Sequence, residues 1–111
     1  MCVQSIKCSG CGILEKVYEN ALAHEMRKNG LIVLQQEPIR LYYDKVTVGN
    51  YAADLLVEHT VIVEIKAVKE HNDIFVAQCL NYLKATGLPL CLLLNFSKAL
   101  IDINRLRGPA S

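Results

Sequence analysis

Two acids and a lysine stand inside β-rich runs that otherwise read as buried. Asp54 lies in residues 51–57, and Glu64 and Lys66 lie in residues 61–67. Alternation places Glu64 and Lys66 on one face with Ile62 and Val68, and Val61, Val63, Ile65 and Ala67 on the other. Asp54 shares a face with Leu56, while Ala53, Leu55 and Val57 point the other way. Directly opposed residues of a hairpin share a face. Asp54 therefore comes opposite Glu64 if residue 57 pairs with residue 61 across the loop Glu58-His59-Thr60. A two-residue loop without a bulge would separate the two acids.

Two carboxylates side by side on a half-buried face repel each other, and a bound cation relieves the repulsion. Mg²⁺ fits such a pair because it takes oxygen ligands, accepts one or two carboxylates and keeps several waters. Lys66, two residues after Glu64, reaches the same face. There it can orient a water or stabilise negative charge on a phosphate. The competing reading is a structural ion pair of Lys66 with Asp54 or Glu64.

The elements that must position these residues follow from periodicity. Leu14, Val17, Tyr18, Ala21, Leu22 and Met26 form an apolar stripe at helical spacing. Arg27 and Lys28 then suit a last turn and Gly30 a C′ position, so the pattern predicts a helix over 13–29. Residues 31–36 and 39–43 read as strands on either side of Pro38, with Asp44-Lys45 as a tight turn. Residues 46–48 continue, Gly49-Asn50 reads as a break, and 51–57 and 61–67 form the charged hairpin. A second helix is expected from Asn72 or Asp73 to Thr86, stopped by Gly87. Strands follow at 90–95 and 100–106, with 107–111 as a tail. The order predicts an α/β fold with a mixed sheet and a helical crossover. On the helices, Glu15 borders the apolar stripe, and Gln78 and Tyr82 lie four apart on one face.

The 111 residues suffice for one domain over 1–111, with residues 1–11 as a loose lead-in. Twelve Lys and Arg against eleven Asp and Glu exclude a globally basic nucleic-acid binder. No apolar run reaches the roughly 18 residues of a membrane span. The start carries no apolar signal core, so the expected location is cytoplasmic. Five cysteines are an odd number, and ordinary thiols are expected. Cys8-Ser-Gly-Cys11 has zinc-type spacing without a second ligand pair. His24, His59 and His71 have no ligand spacing and read as solvated.

Several motifs in order resemble the GxxExxY proteins, a branch of the PD-(D/E)xK nuclease superfamily. They are Gly12-Ile13-Leu14-Glu15-Lys16-Val17-Tyr18, Tyr51-Ala52-Ala53-Asp54-Leu55, Val63-Glu64-Ile65-Lys66, Ala77-Gln78-Cys79-Leu80-Asn81-Tyr82 and Leu94-Asn95-Phe96. The resemblance runs over residues 10–106. It implies a restriction-endonuclease-like mixed sheet flanked by helices, with the active site on the central hairpin. It also implies catalytic roles for Glu15, Asp54, Glu64, Lys66, Gln78 and Tyr82. Asp54, Glu64, Ile65 and Glu15 would hold Mg²⁺ or Mn²⁺. Gln78 and Tyr82 match the Q-x-x-x-Y motif of RecB-type nucleases, where the helix shapes the site and contacts DNA. Ala53 stands where the superfamily name has proline. The helix that usually precedes the first motif is replaced by the Cys-rich lead-in, and no iron–sulfur cluster is expected.

The expected function is metal-dependent hydrolysis of phosphodiester bonds, in DNA rather than RNA through the resemblance. The alternative is a catalytically silent module of the same fold that binds nucleic acid or a protein partner. A third reading is a zinc or redox protein built on Cys2, Cys8 and Cys11. Pairing into a homodimer is the expected way for so small a nuclease to gain a DNA groove.

Overall fold

The computed structural model describes residues 11–69, 73–96 and 101–108. Residues 1–10 of the lead-in, with Cys2 and Cys8, as well as His71 and the capping position Asn72, lie outside them. The first helix, α1 (Cys11–Lys28), begins two residues before its expected start and carries Arg27 and Lys28 in its last turn. Those cations face the negative end of the helix dipole. Gly30 adopts φ 85°, a left-handed backbone that glycine takes without a Cβ penalty. This lets the Gly30 N–H donate to the Arg27 carbonyl at 3.0 Å and the Leu31 N–H donate to Met26 at 3.1 Å. Together these bonds form a Schellman ending.

A long hairpin comes next, β1 (Val33–Tyr43) and β2 (Val46–Val57). Asp44 and Lys45 both take positive φ, 53° and 66°, as a type I′ turn between twisted strands requires. The expected interruptions at Pro38 and at Gly49-Asn50 do not occur. Pro38 pairs with Ala52 inside a continuous β1, and a bulge between Leu41 and Tyr42 takes up the irregularity opposite Gly49. β1 is an edge strand, where a residue without an N–H leaves no ladder bond unmade.

β3 (Val61–Lys66) pairs with β2 through Val57 opposite Val61, across the three-residue loop Glu58-His59-Thr60. A second helix, α2 (Asp73–Thr86), then crosses to β4 (Leu90–Asn95), which lies parallel to β3. The antiparallel β5 (Asp102–Arg107) closes the sheet, whose order is β1-β2-β3-β4-β5. β5 starts later than expected and includes Arg107. Gly108, also assigned to the tail, is buried, and its N–H donates to the Pro89 carbonyl at 2.8 Å.

Each helix covers one buried cluster. Ile39, Ala53, Ile62, Cys91 and Leu93 pack with Cys79, Tyr82 and Leu83 of α2. Val33, Leu55, Val57, Val63 and Ile65 pack with Ala23 of α1. β3 thus buries Ile62 on one face and Val63 and Ile65 on the other, as a central strand must. Burying each such side chain contributes roughly 1.5–3 kcal/mol.

The hairpin changes partner midway. Val33 and Leu55 pack with the α1 cluster, whereas Ile39 and Ala53 pack with the α2 cluster. Ala53 and Leu55 therefore do not share a buried face as strict alternation expects. The switch falls at Gln36 and Asp54, between the pairs Gln35–Leu55 and Glu37–Ala53. Gln36 has φ 54°, which breaks the pleat and re-aims the remainder of β1.

Candidate active site

The β2–β3 ladder has Leu55 opposite Val63 as its last pair toward the open end of the hairpin. Beyond it, side chains take over the backbone donors. The Asp54 N–H donates to Glu64 Oε2 at 3.0 Å, and the Ile65 N–H donates to Asp54 Oδ2 at 2.8 Å. The two acids are therefore locked to each other's strand, as the three-residue loop requires. Ile65 is 1% exposed and packs in the core, so only its main chain faces the site.

Glu15 reaches in from α1, where its Oε2 accepts the Ala67 N–H at 2.9 Å. This fixes the backbone next to Lys66. The Lys66 carbonyl accepts the Phe96 N–H at 2.8 Å, tying the end of β3 to β4. The Lys66 ammonium lies over the Phe75 ring of α2, 4.8 Å from its centroid. Among the described residues Lys66 makes no direct ion pair; the pairs formed are Lys16–Glu19 and Lys28–Glu25. The structural ion pair with Asp54 or Glu64 is thus not what the fold builds. The lysine charge nevertheless acts on Glu15, Asp54 and Glu64, lowering the pKa of each.

Burial dominates the electrostatics of all three acids. It pushes the Glu64 carboxyl up to about 8, with repulsion from Asp54 as the next cause. Desolvation also raises Asp54, against hydrogen bonds from Ile65 and Gln36, and raises Glu15, against the bond from Ala67. An apolar surrounding disfavours each charged form, and each neighbouring carboxylate adds to the cost.

From α2, Tyr82 is buried with its ring 5.9 Å from that of Tyr51. Desolvation raises its phenol pKa and the Glu64 charge raises it further, which places Tyr82 within electrostatic reach of the acids. Gln78 is half-buried one turn earlier. His24 and His59 are exposed, as expected of solvated histidines. Cys79 and Cys91 are free, buried thiols.

Glu19 and Gln36 were not apparent from sequence. Glu19 is 3% exposed although charged. It accepts from Gln35 Nε2 at 2.8 Å and from Gln36 Nε2 at 3.0 Å. Gln36 Nε2 also donates to Asp54 Oδ1 at 3.3 Å. The expected stripe on α1 is displaced accordingly. Tyr18, Leu22, Ala23 and Met26 pack inward with Glu15 and Glu19, while Leu14 and Val17 are 46% and 54% exposed. The inward face of this helix thus carries two hydrogen-bonded acids beside its apolar residues. The available signal was the four-residue spacing of Glu15 and Glu19, which puts both on one face.

The donor set suits a hard cation. Asp54 and Glu64 supply carboxylate oxygens in an apolar setting where their charges repel. Among the described residues no three acidic, histidine or cysteine side chains gather closely enough to hold a metal unaided. A pair of carboxylates has the chemistry of an ion that accepts one or two such ligands and keeps several waters, as Mg²⁺ does. Among the described residues no helix is long and apolar enough to cross a membrane.

Comparison with known proteins agrees with this geometry. The family model of the PD-(D/E)XK nuclease superfamily matches residues 1–106. No curated protein matches. Two solved structures of an alkaline exonuclease from Laribacter hongkongensis are similar in fold. One matches with a TM-score of 0.59, and the other, in complex with dAMP, with 0.60. Both are 17% identical over 84% of this chain. The match covers 55% of the exonuclease, so this chain spans about half its length.

Proposed function

Because the chain belongs to the PD-(D/E)XK nuclease superfamily, we propose that it hydrolyses phosphodiester bonds in DNA with Mg²⁺ or Mn²⁺ held by Asp54 and Glu64. The observation that carries this reading is the pair of cross-strand bonds at the splayed end of the hairpin, from the Asp54 N–H to the Glu64 carboxylate and from the Ile65 N–H to the Asp54 carboxylate. The Lys66 charge acts on both acids without contacting them among the described residues. Asp54 and Glu64 bind and orient; their second lone pairs stay available because each acid commits few to the protein. Lys66 offers a mobile ammonium to a phosphate oxygen or an attacking water. Glu15 holds the backbone of Ala67 and so sets the direction of the lysine. Tyr82 and Gln78 form the α2 wall. A divalent ion, when bound, supplies positive charge that stabilises the phosphorane-like oxygens and lowers the pKa of water.

DNA is favoured because the similar exonuclease is solved with dAMP, a deoxynucleotide. The GxxExxY branch within the superfamily, a single domain over 1–111, a cytoplasmic setting and a homodimer belong to the same reading. Light scattering of the purified chain tests the dimer. The silent binding module is the outcome that an activity assay would reveal. The test is cleavage of single-stranded DNA, double-stranded DNA and RNA with Mg²⁺ or Mn²⁺, with EDTA and Lys66→Ala as controls. Cleavage of DNA that is lost in both controls supports the reading. Cleavage that persists in Lys66→Ala refutes this site, and no cleavage of any polymer leaves the binding module.

A further inference from the structure

Asp54 is held from two sides. Its Oδ2 accepts from the β3 backbone at Ile65, and its Oδ1 accepts from the Gln36 side chain on β1. The Gln36 amide nitrogen is shared, donating to Asp54 Oδ1 and to Glu19 Oε1. Only the nitrogen end of an amide can sit between two carboxylate acceptors, so Glu19 gives the Gln36 nitrogen a second anchor beside Asp54. Glu19 is in turn fixed by Gln35 and by Lys16, and is nearly excluded from solvent. Gln36 stands in this place with φ 54°, a region that glutamine rarely occupies. Strain of this kind persists where the surroundings over-determine it, and it concentrates at functional sites.

We infer that Gln36 and Glu19 form a clamp that orients the Asp54 carboxylate for the divalent ion, making both positioning residues. The inference rests on the metal-binding reading of Asp54 and Glu64. Its components contact neither the ion nor the substrate in this role. They act by holding Oδ1 of Asp54 while the Ile65 N–H holds Oδ2, which together fix the plane of the carboxylate.

The experiment is calorimetric titration of Mn²⁺ into the full chain and its variants, paired with melting curves in EDTA. Gln36→Gly removes the amide and suits the left-handed backbone. It is expected to melt at or above the wild-type temperature while its Mn²⁺ affinity falls roughly ten- to hundredfold, the range seen when supporting hydrogen bonds to ligands are cut. Gln36→Asn also tolerates this backbone but is too short to bridge, and is expected to lose affinity likewise. Glu19→Gln keeps an acceptor for Gln36 and retains most of the affinity, whereas Glu19→Leu does not.

Wild-type affinity in Gln36→Gly, with binding abolished in Asp54→Asn, overturns the clamp and leaves the metal site standing. A wild type that binds no Mn²⁺ overturns both. Should Gln36→Gly melt early, the Glu19 pair decides. Loss in Glu19→Leu with retention in Glu19→Gln supports the clamp, and equal affinity in the two overturns it.

Discussion

Replacing Glu64 by glutamine in the metal-free protein should stabilise it, and the gain should depend on pH. The folded chain holds the Glu64 proton up to about pH 8, whereas an ordinary glutamate loses it near 4.5. The folded state therefore binds more protons than the unfolded state between these values, and stability falls as pH rises through that window. Below about 4.5 both states are protonated and nothing is lost; above about 8 the loss is complete. At about 1.4 kcal/mol per pH unit the ceiling is about 5 kcal/mol. Relaxation and water penetration reduce such penalties, so about 2–3 kcal/mol is the expected gain for Glu64→Gln at high pH. The substituted amide keeps an oxygen that can accept the Asp54 N–H, so that donor keeps its partner. Urea unfolding in EDTA at pH 5, 6.5 and 8.5, followed by circular dichroism, reads the difference. A gain that does not change with pH would refute the claim that the cost arises from ionising a buried carboxyl. If Asp54 and Glu64 hold the ion as proposed, adding Mn²⁺ should reverse the order at high pH, because binding to the folded wild type would stabilise it by mass action.

Other outcomes come from packing and contact. Val63→Ala empties part of the α1 cluster at a residue only 1% exposed, and should cost roughly 1–3 kcal/mol in chemical denaturation. Gly108→Ala would place a Cβ 2.0 Å from the Leu88 carbonyl oxygen, so the β5 end must shift. A melting temperature equal to that of the wild type would contradict this close approach. Phe75→Leu removes the ring beneath Lys66, a contact worth about 0.5–2 kcal/mol. It should lower DNA cleavage several-fold while Phe75→Trp preserves it; equal rates in the two would show that the ring does not place the lysine.

Much of the site was written locally. Asp54, Glu64 and Lys66 stood out because charge interrupts β-branched runs, and the parity of a three-residue loop put the two acids together, as Val57 opposite Val61 confirms. Both helices, the crossover and the two-sided burial of β3 followed from periodicity and glycine stops. These features depend on near neighbours in the chain, so residue type and spacing suffice to specify them. What tertiary structure alone decided lies where distant segments meet. Glu19 draws no notice in the sequence, because its donors Gln35 and Gln36 lie sixteen and seventeen residues away. The inward face of α1 carries Glu15 and Glu19 with their partners, while Leu14 and Val17 stay exposed. Gln36 takes a left-handed backbone that its side chain does not favour, and the hairpin changes helix there. Lys66 settles over Phe75 of α2 rather than pairing with Asp54 or Glu64. A hydrogen bond or cation–π contact between residues far apart in sequence leaves no periodic trace, so only the assembled fold reveals it.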